Sequence, residues 1–286
     1  MNSNRIAVIG AGTMGIGVTV DLLLHGFEVV LHDIAVAQLD RAFDDVMQKL
    51  RFFPLWNKQV APVSGEEASG RLTATTQLER ACDCHFVIEN VPEVWETKRS
   101  VYIALDRICP REACFAANTS CIPIARIATA TDRPASVIGM HFMNPAFLDR
   151  PVEVIPAEQT SEACLRSALA LLNRLGKESI LVKDFPGFVS NRVSHVFINE
   201  AARLLDEQLS TADQVDDIFR RCFQHRMGPL ETADLIGLDT VVHSLDILYE
   251  SYRDSRFLCS RVLRELVEAG RLGRKSGRGF YTYPLE

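Results

Sequence analysis

The stretch Arg5-Ile6-Ala7-Val8-Ile9-Gly10-Ala11-Gly12-Thr13-Met14-Gly15 decides the fold. Four consecutive apolar residues, Ile6 to Ile9, read as a short strand covered on both faces, as in a parallel sheet. The apolar residues after Gly15 read as a helix that begins at once. A G-x-G-x-x-G pattern between a strand and a helix points to dinucleotide binding, because each glycine has a mechanical task there. Gly10 permits the tight turn, Gly12 lets backbone approach a pyrophosphate, and Gly15 lets helix and strand pack closely. The helix N-terminus then presents N–H groups and partial positive charge to the phosphates, and Thr13 and Met14 are counted with the glycines as cofactor-binding residues.

A second apolar run, 28–32, ends at Asp33. A carboxylate at that strand end accepts hydrogen bonds from the adenosine ribose hydroxyls and repels a 2′-phosphate. Ile34 and Ala35 supply no cation to offset the repulsion, so the expected cofactor is NAD rather than NADP.

Further out, short apolar runs alternate with amphipathic stretches, the pattern of β-α-β units. Strands are expected at 5–9, 28–32, 86–89, 114–117, 137–141, 152–155 and 179–182, and helices at 15–24, 37–51, 94–108 and 161–175. At Asp184-Phe185-Pro186-Gly187 the character changes, and helical periodicity alone follows: 188–208, a helix opened by a capping box at Thr211-Ala212-Asp213-Gln214, then 233–252 and 257–269. The expected architecture is α/β: a Rossmann-type doubly wound sheet over 1–185, followed by an all-α C-terminal domain over 186–286.

Composition narrows the function. A net charge of -6 gives no general attraction to nucleic acid or anionic membrane. No apolar run approaches the roughly 20 residues needed to span a bilayer. Met1-Asn2-Ser3-Asn4-Arg5 reads as leading straight into the first strand rather than as a signal peptide, so a cytoplasmic protein with free thiols is expected. Cys82-Asp83-Cys84 has no second pair at zinc-site spacing, and no metal is implied.

Two segments carry chemistry. Asn118-Thr119-Ser120 and Gly139-Met140-His141-Phe142-Met143-Asn144-Pro145 each lie at a strand's carboxyl end, where open α/β sheets bind ligands. A histidine there can exchange a proton with a substrate hydroxyl near neutral pH. Glu153 lies inside an apolar strand, Pro151-Val152-Glu153-Val154-Ile155, and is costly to bury unpaired, which makes it the natural partner of His141. Ser120 could alternatively cap the next helix, and Asn191 could merely hydrogen-bond a helix end.

With these motifs the chain resembles the L-3-hydroxyacyl-CoA dehydrogenase family, including bacterial 3-hydroxybutyryl-CoA dehydrogenases. The likeness covers nearly the whole length: the glycine turn, Glu89-Asn90-Val91-Pro92-Glu93, the Asn118 and His141 segments, Val152-Glu153-Val154 and Asp184 to Arg192. It continues through Met227-Gly228-Pro229-Leu230, Gly237-Leu238-Asp239 and Lys275-Ser276-Gly277-Arg278-Gly279-Phe280-Tyr281. The resemblance implies a helical dimerisation domain and a homodimer. It also implies that His141 is the catalytic base, Glu153 its carboxylate partner, and Ser120 and Asn191 the residues that hold the reacting oxygens. Glu93 and Lys98 match a pair near the nicotinamide ribose, and Asn118 joins the cofactor-binding set. The tail from Lys275 to Tyr281 is expected to pack the C-terminus onto the helical domain.

The chain departs from the family at Met143, where phenylalanine is usual, and in Leu50-Arg51-Phe52-Phe53-Pro54-Leu55-Trp56-Asn57-Lys58-Gln59-Val60-Ala61-Pro62. Relatives that bind coenzyme A carry several lysines in that segment. Here Pro54 is expected to end the helix, leaving an apolar cluster that reads as a local cap, an acyl-pocket wall or a docking patch. The last would suit an acyl carrier protein, which makes carrier-bound hydroxyacyl units an alternative substrate. A catalytically silent NAD-binding relative is the third reading.

Overall fold

The computed structural model describes residues 4–56 and 63–284, which form two compact units, Met1–Asp184 and Phe185–Glu286. In the first unit the strands are β1 (Arg5–Ile9), β2 (Glu28–His32), β3 (Leu72–Thr75), β4 (Phe86–Glu89), β5 (Cys114–Ala117), β6 (Val137–Phe142), β7 (Pro151–Pro156) and β8 (Glu178–Leu181). Its helices are α1 (Thr13–Leu24), α2 (Val36–Trp56), α3 (Gly65–Arg71), α4 (Trp95–Ile108), α5 (Ile124–Ala128) and α6 (Glu162–Arg174). Among the described residues the strands join in one sheet, ordered β3-β2-β1-β4-β5-β6-β7-β8. From β3 to β6 every pairing is parallel.

From β1 the chain winds outward first through β2 and β3, then through β4, β5 and β6 on the other side. That reversal opens a crevice beyond the carboxyl ends of β1 and β4. Ala7, Val8 and Ile9 are wholly buried, and α1 is covered on nearly all sides from Gly15 to Leu24. The Rossmann-type unit is thus built around the segment that opens the sequence. Strand β3 escapes the periodicity because Leu-Thr-Ala-Thr buries only Leu72 and pairs as an edge along β2. At β7 the direction turns: β7 runs antiparallel to β6, and β8 follows β7 in parallel.

Helix α2 runs through Pro54 to Trp56, so Pro54 does not terminate it as expected. Proline in a final turn removes its own N–H from the ladder but leaves most of the helix's bonds intact. Phe53 anchors the turn; it is buried, with its ring 6.2 Å from that of Phe147. Phe52 and Leu55 face solvent. The Phe-Phe-Pro-Leu-Trp cluster is therefore divided between core and surface, while the Trp56 side chain and residues 57–62 lie outside the described residues.

The second unit contains α7 (Ser190–Asp206), α8 (Ala212–Cys222), α9 (Pro229–Ile236), α10 (Leu238–Tyr252) and α11 (Arg261–Glu268). The capping box at Thr211 and Gln214 is present in both directions. The helix expected over 233–252 is two helices, because Gly237 takes φ 101°, a value that favours glycine, and turns the chain. Asp216 accepts the N–H groups of Leu230 and Glu231 and so caps α9 in place of a local side chain. Asp234 accepts from the backbone of Phe280 and Tyr281 and from the Tyr283 hydroxyl. The glycine-rich tail thus docks on its own unit; a Cβ at Gly279 would stand 1.9 Å from the Asp234 carboxylate. No helix among the described residues is long and apolar enough to cross a membrane.

Truncating the two halves of the apolar cluster should give opposite results. Phe53→Ala is expected to destabilise the first unit by about 3–5 kcal/mol. Leu55→Ala, at an exposed position, should stay within about 0.5 kcal/mol in the same denaturant titration. Equal losses would contradict this packing.

Candidate active site

The glycine turn sits where β1 ends. Gly10 adopts φ 97°, and its N–H donates to the His32 carbonyl at 2.8 Å. A Cβ there would come within 2.8 Å of the Asn90 backbone, and one at Gly15 within 1.8 Å of the Gly10 carbonyl oxygen. Gly12 differs: it is extended, and a Cβ on it would meet no protein atom within 4 Å. The helix that follows has no side-chain cap and no acidic residue in its first turn. Thr13 is exposed there, and Met14 is half-buried against the core.

Asp33 is fixed by this turn. Its carboxylate accepts from the Ala11 N–H at 2.9 Å and the Ala35 N–H at 3.1 Å. Beside it, where α2 begins and β3 ends, Val36, Leu39, Phe43, Thr75, Gln77 and Arg80 help line a hollow of about 470 Å³. An open approach at Gly12, an uncapped helix end and an anchored carboxylate fit a dinucleotide.

The sheet's reversal creates the reactive pair. In the antiparallel register His141 of β6 stands directly opposite Glu153 of β7, so their side chains share one face. The imidazole Nδ1 lies 2.8 Å from the Glu153 Oε2, and both residues are buried. The carboxylate selects the tautomer in which Nδ1 carries the proton and donates it, leaving the lone pair on Nε2. Nε2 lies 3.4 Å from the Ser120 hydroxyl.

Ser120 belongs to the turn after β5, and it does not cap the next helix. Asp184 does that, accepting from Ile124 and Ala125 at 2.8 and 2.7 Å. The turn itself is gathered on Glu93, whose Oε1 accepts from the Thr119 hydroxyl at 2.6 Å and from the N–H groups of Ser120, Cys121 and Ile122. Asn118 joins three strand ends, accepting from Phe142 N–H at 3.1 Å and donating to Asn90 Oδ1 at 2.7 Å.

Lys98 is wholly buried, so it is not a solvated helix lysine. Its ammonium donates to both oxygens of Glu89, at 2.8 and 3.0 Å, and stands 3.6 Å from Glu93 Oε2. Burial pushes the Glu89 carboxyl up, with Lys98 opposing. Burial raises the Glu93 carboxyl too, but Lys98 and the donors of the 119–122 turn outweigh it and hold Glu93 below the usual range. The first unit thus gathers His141, Glu153, Ser120, Asn118, Glu93 and Lys98. Asn191 belongs to the second unit, in the first turn of α7, where its carbonyl lies 3.0 Å from the Nδ1 of buried His195. Sequence reasoning assigned no role to Glu89; an acid closing an otherwise apolar strand, with Lys98 nine residues on in the first turn of α4, was the signal available.

A dinucleotide cradle and a carboxylate-paired histidine along the same edge of the sheet define an NAD-dependent oxidoreductase. The chain belongs to the 3-hydroxyacyl-CoA dehydrogenase family: its NAD-binding domain matches residues 5–185 and its C-terminal domain residues 187–283. It is 40% identical over 279 residues to a probable 3-hydroxybutyryl-CoA dehydrogenase of Deinococcus radiodurans, covering 98% of this chain and 100% of that one. Identity to the 3-hydroxybutyryl-CoA dehydrogenase of Bradyrhizobium diazoefficiens is 38%, over 98% of this chain and 95% of the relative. The crystal structure of (S)-3-hydroxybutyryl-CoA dehydrogenase from Ralstonia eutropha superposes with a TM-score of 0.90 at 34% identity, covering 99% of this chain and 100% of that one.

The glycines separate folding from cofactor binding. Gly15→Ala should lower the melting temperature by several degrees, since its Cβ meets backbone; each kcal/mol is worth about 2–4 °C in a unit of this size. Gly12→Ala should melt within about 1–2 °C of the parent yet bind NADH at least about tenfold more weakly, read by fluorescence titration, because the methyl fills the space for the pyrophosphate.

Proposed function

We propose that the protein interconverts an L-3-hydroxyacyl-CoA thioester and its 3-ketoacyl form, with His141 as general base. The observation that carries this reading is the buried His141–Glu153 pair, whose Nε2 faces Ser120 at the carboxyl edge of the sheet. Gly10, Gly12, Thr13, Met14, Gly15 and Asp33 would hold NAD, which would supply the hydride acceptor for the hydrogen on C3. His141 Nε2 takes the proton of the 3-hydroxyl in that direction and returns it in the other. Glu153 holds the ring in the required tautomer and stabilises the imidazolium that forms. Ser120 orients the reacting oxygen, while Asn118, Glu93 and Lys98 shape the edge that receives the cofactor.

Coenzyme A esters are favoured over carrier-bound units because the relatives are named for the former. Burial of Phe53 also removes one ring from the surface that a carrier protein would have used. The helical unit is assigned to homodimerisation, supported by exposed Val193, Ile218 and Phe223. A cytoplasmic location is supported by eight unbridged cysteines, which persist in a reducing compartment.

The direct test follows NADH consumption with acetoacetyl-CoA. The parent should turn over, and His141→Ala should lose about 10²–10⁴ in kcat, the range for a general base, while NADH affinity changes by less than about twofold. Absence of turnover by the parent would support a silent NAD-binding protein, and full activity in His141→Ala would remove His141 from the mechanism.

A further inference from the structure

Glu89 stands at the head of a continuous polar chain that ends on Ser120 and His141. It closes β4, 1% exposed, and accepts the Val91 N–H at 2.7 Å. Its two oxygens take two of the bonds that Lys98 donates, and a third goes to the Val91 carbonyl at 3.3 Å. The same ammonium faces Glu93, which grips the Thr119-to-Ile122 turn through one hydroxyl and three N–H groups. That turn carries Ser120, and Ser120 faces His141 Nε2 at 3.4 Å.

We infer that Glu89 is a positioning residue for catalysis: by clamping Lys98 it fixes Glu93, and through the turn that Glu93 collects it sets the Ser120 hydroxyl against His141. The inference rests on the roles proposed above for Ser120 and His141.

The physical reason lies in the arithmetic of charge. One buried carboxylate, Glu89, and one half-buried carboxylate, Glu93, share one buried ammonium, so Lys98 is held by both sides. Removing the charge of Glu89 leaves Lys98 to a single carboxylate and draws it toward Glu93. Buried ion pairs are strongly destabilised when one partner is lost, so the surroundings rearrange to satisfy the other. Glu93 has four donors on one oxygen, and any movement of it is passed to the backbone of Ser120. A displacement of about 1 Å at a reacting group is enough to reduce turnover about 100-fold. A purely structural ion pair would lower stability without altering the imidazole, and a cofactor ligand would weaken NADH binding in step with turnover.

The test uses Glu89→Gln, Ser120→Ala and the double variant in the full-length protein. Its first readout needs neither substrate nor cofactor: ¹⁵N-histidine spectra of the apoprotein, titrated with pH, with the His141 signal identified by its absence in His141→Ala. Glu89→Gln should shift the His141 Nε2 resonance in the same direction as Ser120→Ala. With acetoacetyl-CoA its kcat should fall about 10- to 100-fold, while NADH affinity, touched through Glu93 and Lys98, weakens by clearly less than kcat falls. The double variant should be no slower than Ser120→Ala alone, because residues acting through one another are not additive. Three results would overturn the inference: an unmoved His141 signal, kcat losses that multiply in the double variant, or an NADH affinity that falls as far as kcat. If Glu89→Gln does not fold, Thr119→Val puts the same question by removing one of the Glu93 donors, with the same expectations. Lack of turnover by the parent would sink the proposed reaction, and the apoprotein spectra would still decide the positioning claim.

Discussion

A charge taken out of water must be met by another charge or by a set of hydrogen bonds, and the carboxyl edge of this sheet buries several at once. Glu153 is met by His141, and Glu89 and Glu93 by Lys98 and the backbone of the 119–122 turn. Asp21, inside α1, is met by Lys177 at 2.9 Å. Lys177 also donates to the carbonyls of Ala146 and Asp149, which lie in the connection between β6 and β7. The pairings of Lys98 and Lys177 also fix chain segments, the 119–122 turn through Glu93 and the connection between β6 and β7 through its carbonyls.

The reversal at β7 follows the same logic. In the antiparallel pairing His141 and Glu153 stand directly opposite each other. The short connection held by Lys177 permits that pairing, where a parallel return would need a crossover of a dozen or more residues. Rigid strands then hold the imidazole and carboxylate, and a turn braced by Glu93 holds the hydroxyl. The helical unit uses the same device for structure alone. Asp216 caps α9, whose N-terminal glycine offers no side chain, and Asp234 collects the C-terminal tail, so carboxylates distant in sequence fix both segments.

Much of this was legible in the residues. Continuous apolar strands, the glycine turn, Asp33 and the capping box at Thr211 are local signals, read within one element or between an element and its neighbour. The pairing of His141 with Glu153 was legible too, because an acid inside an apolar strand demands a partner. Elements with weak local signals were missed: β3 buries one residue, α3 and α5 are short, and the break at Gly237 shows only as a glycine in an apolar helix. Pro54 misled in the other direction, since the burial of Phe53 outweighs a proline in a last turn.

By itself the amino-acid sequence determined the class of fold, the kind of cofactor and the pairing of His141 with Glu153, because backbone turns, apolar periodicity and the cost of burying a lone acid are written in short stretches of the chain. Only the tertiary structure decided which charges share a burial site. The link from Glu89 through Lys98 and Glu93 to Ser120 joins the ends of β4 and β5 with a helix between them, and no spacing along the chain encodes it. The antiparallel turn of β7 belongs with it, since strand direction is set by how the connection packs rather than by the residues of the strand.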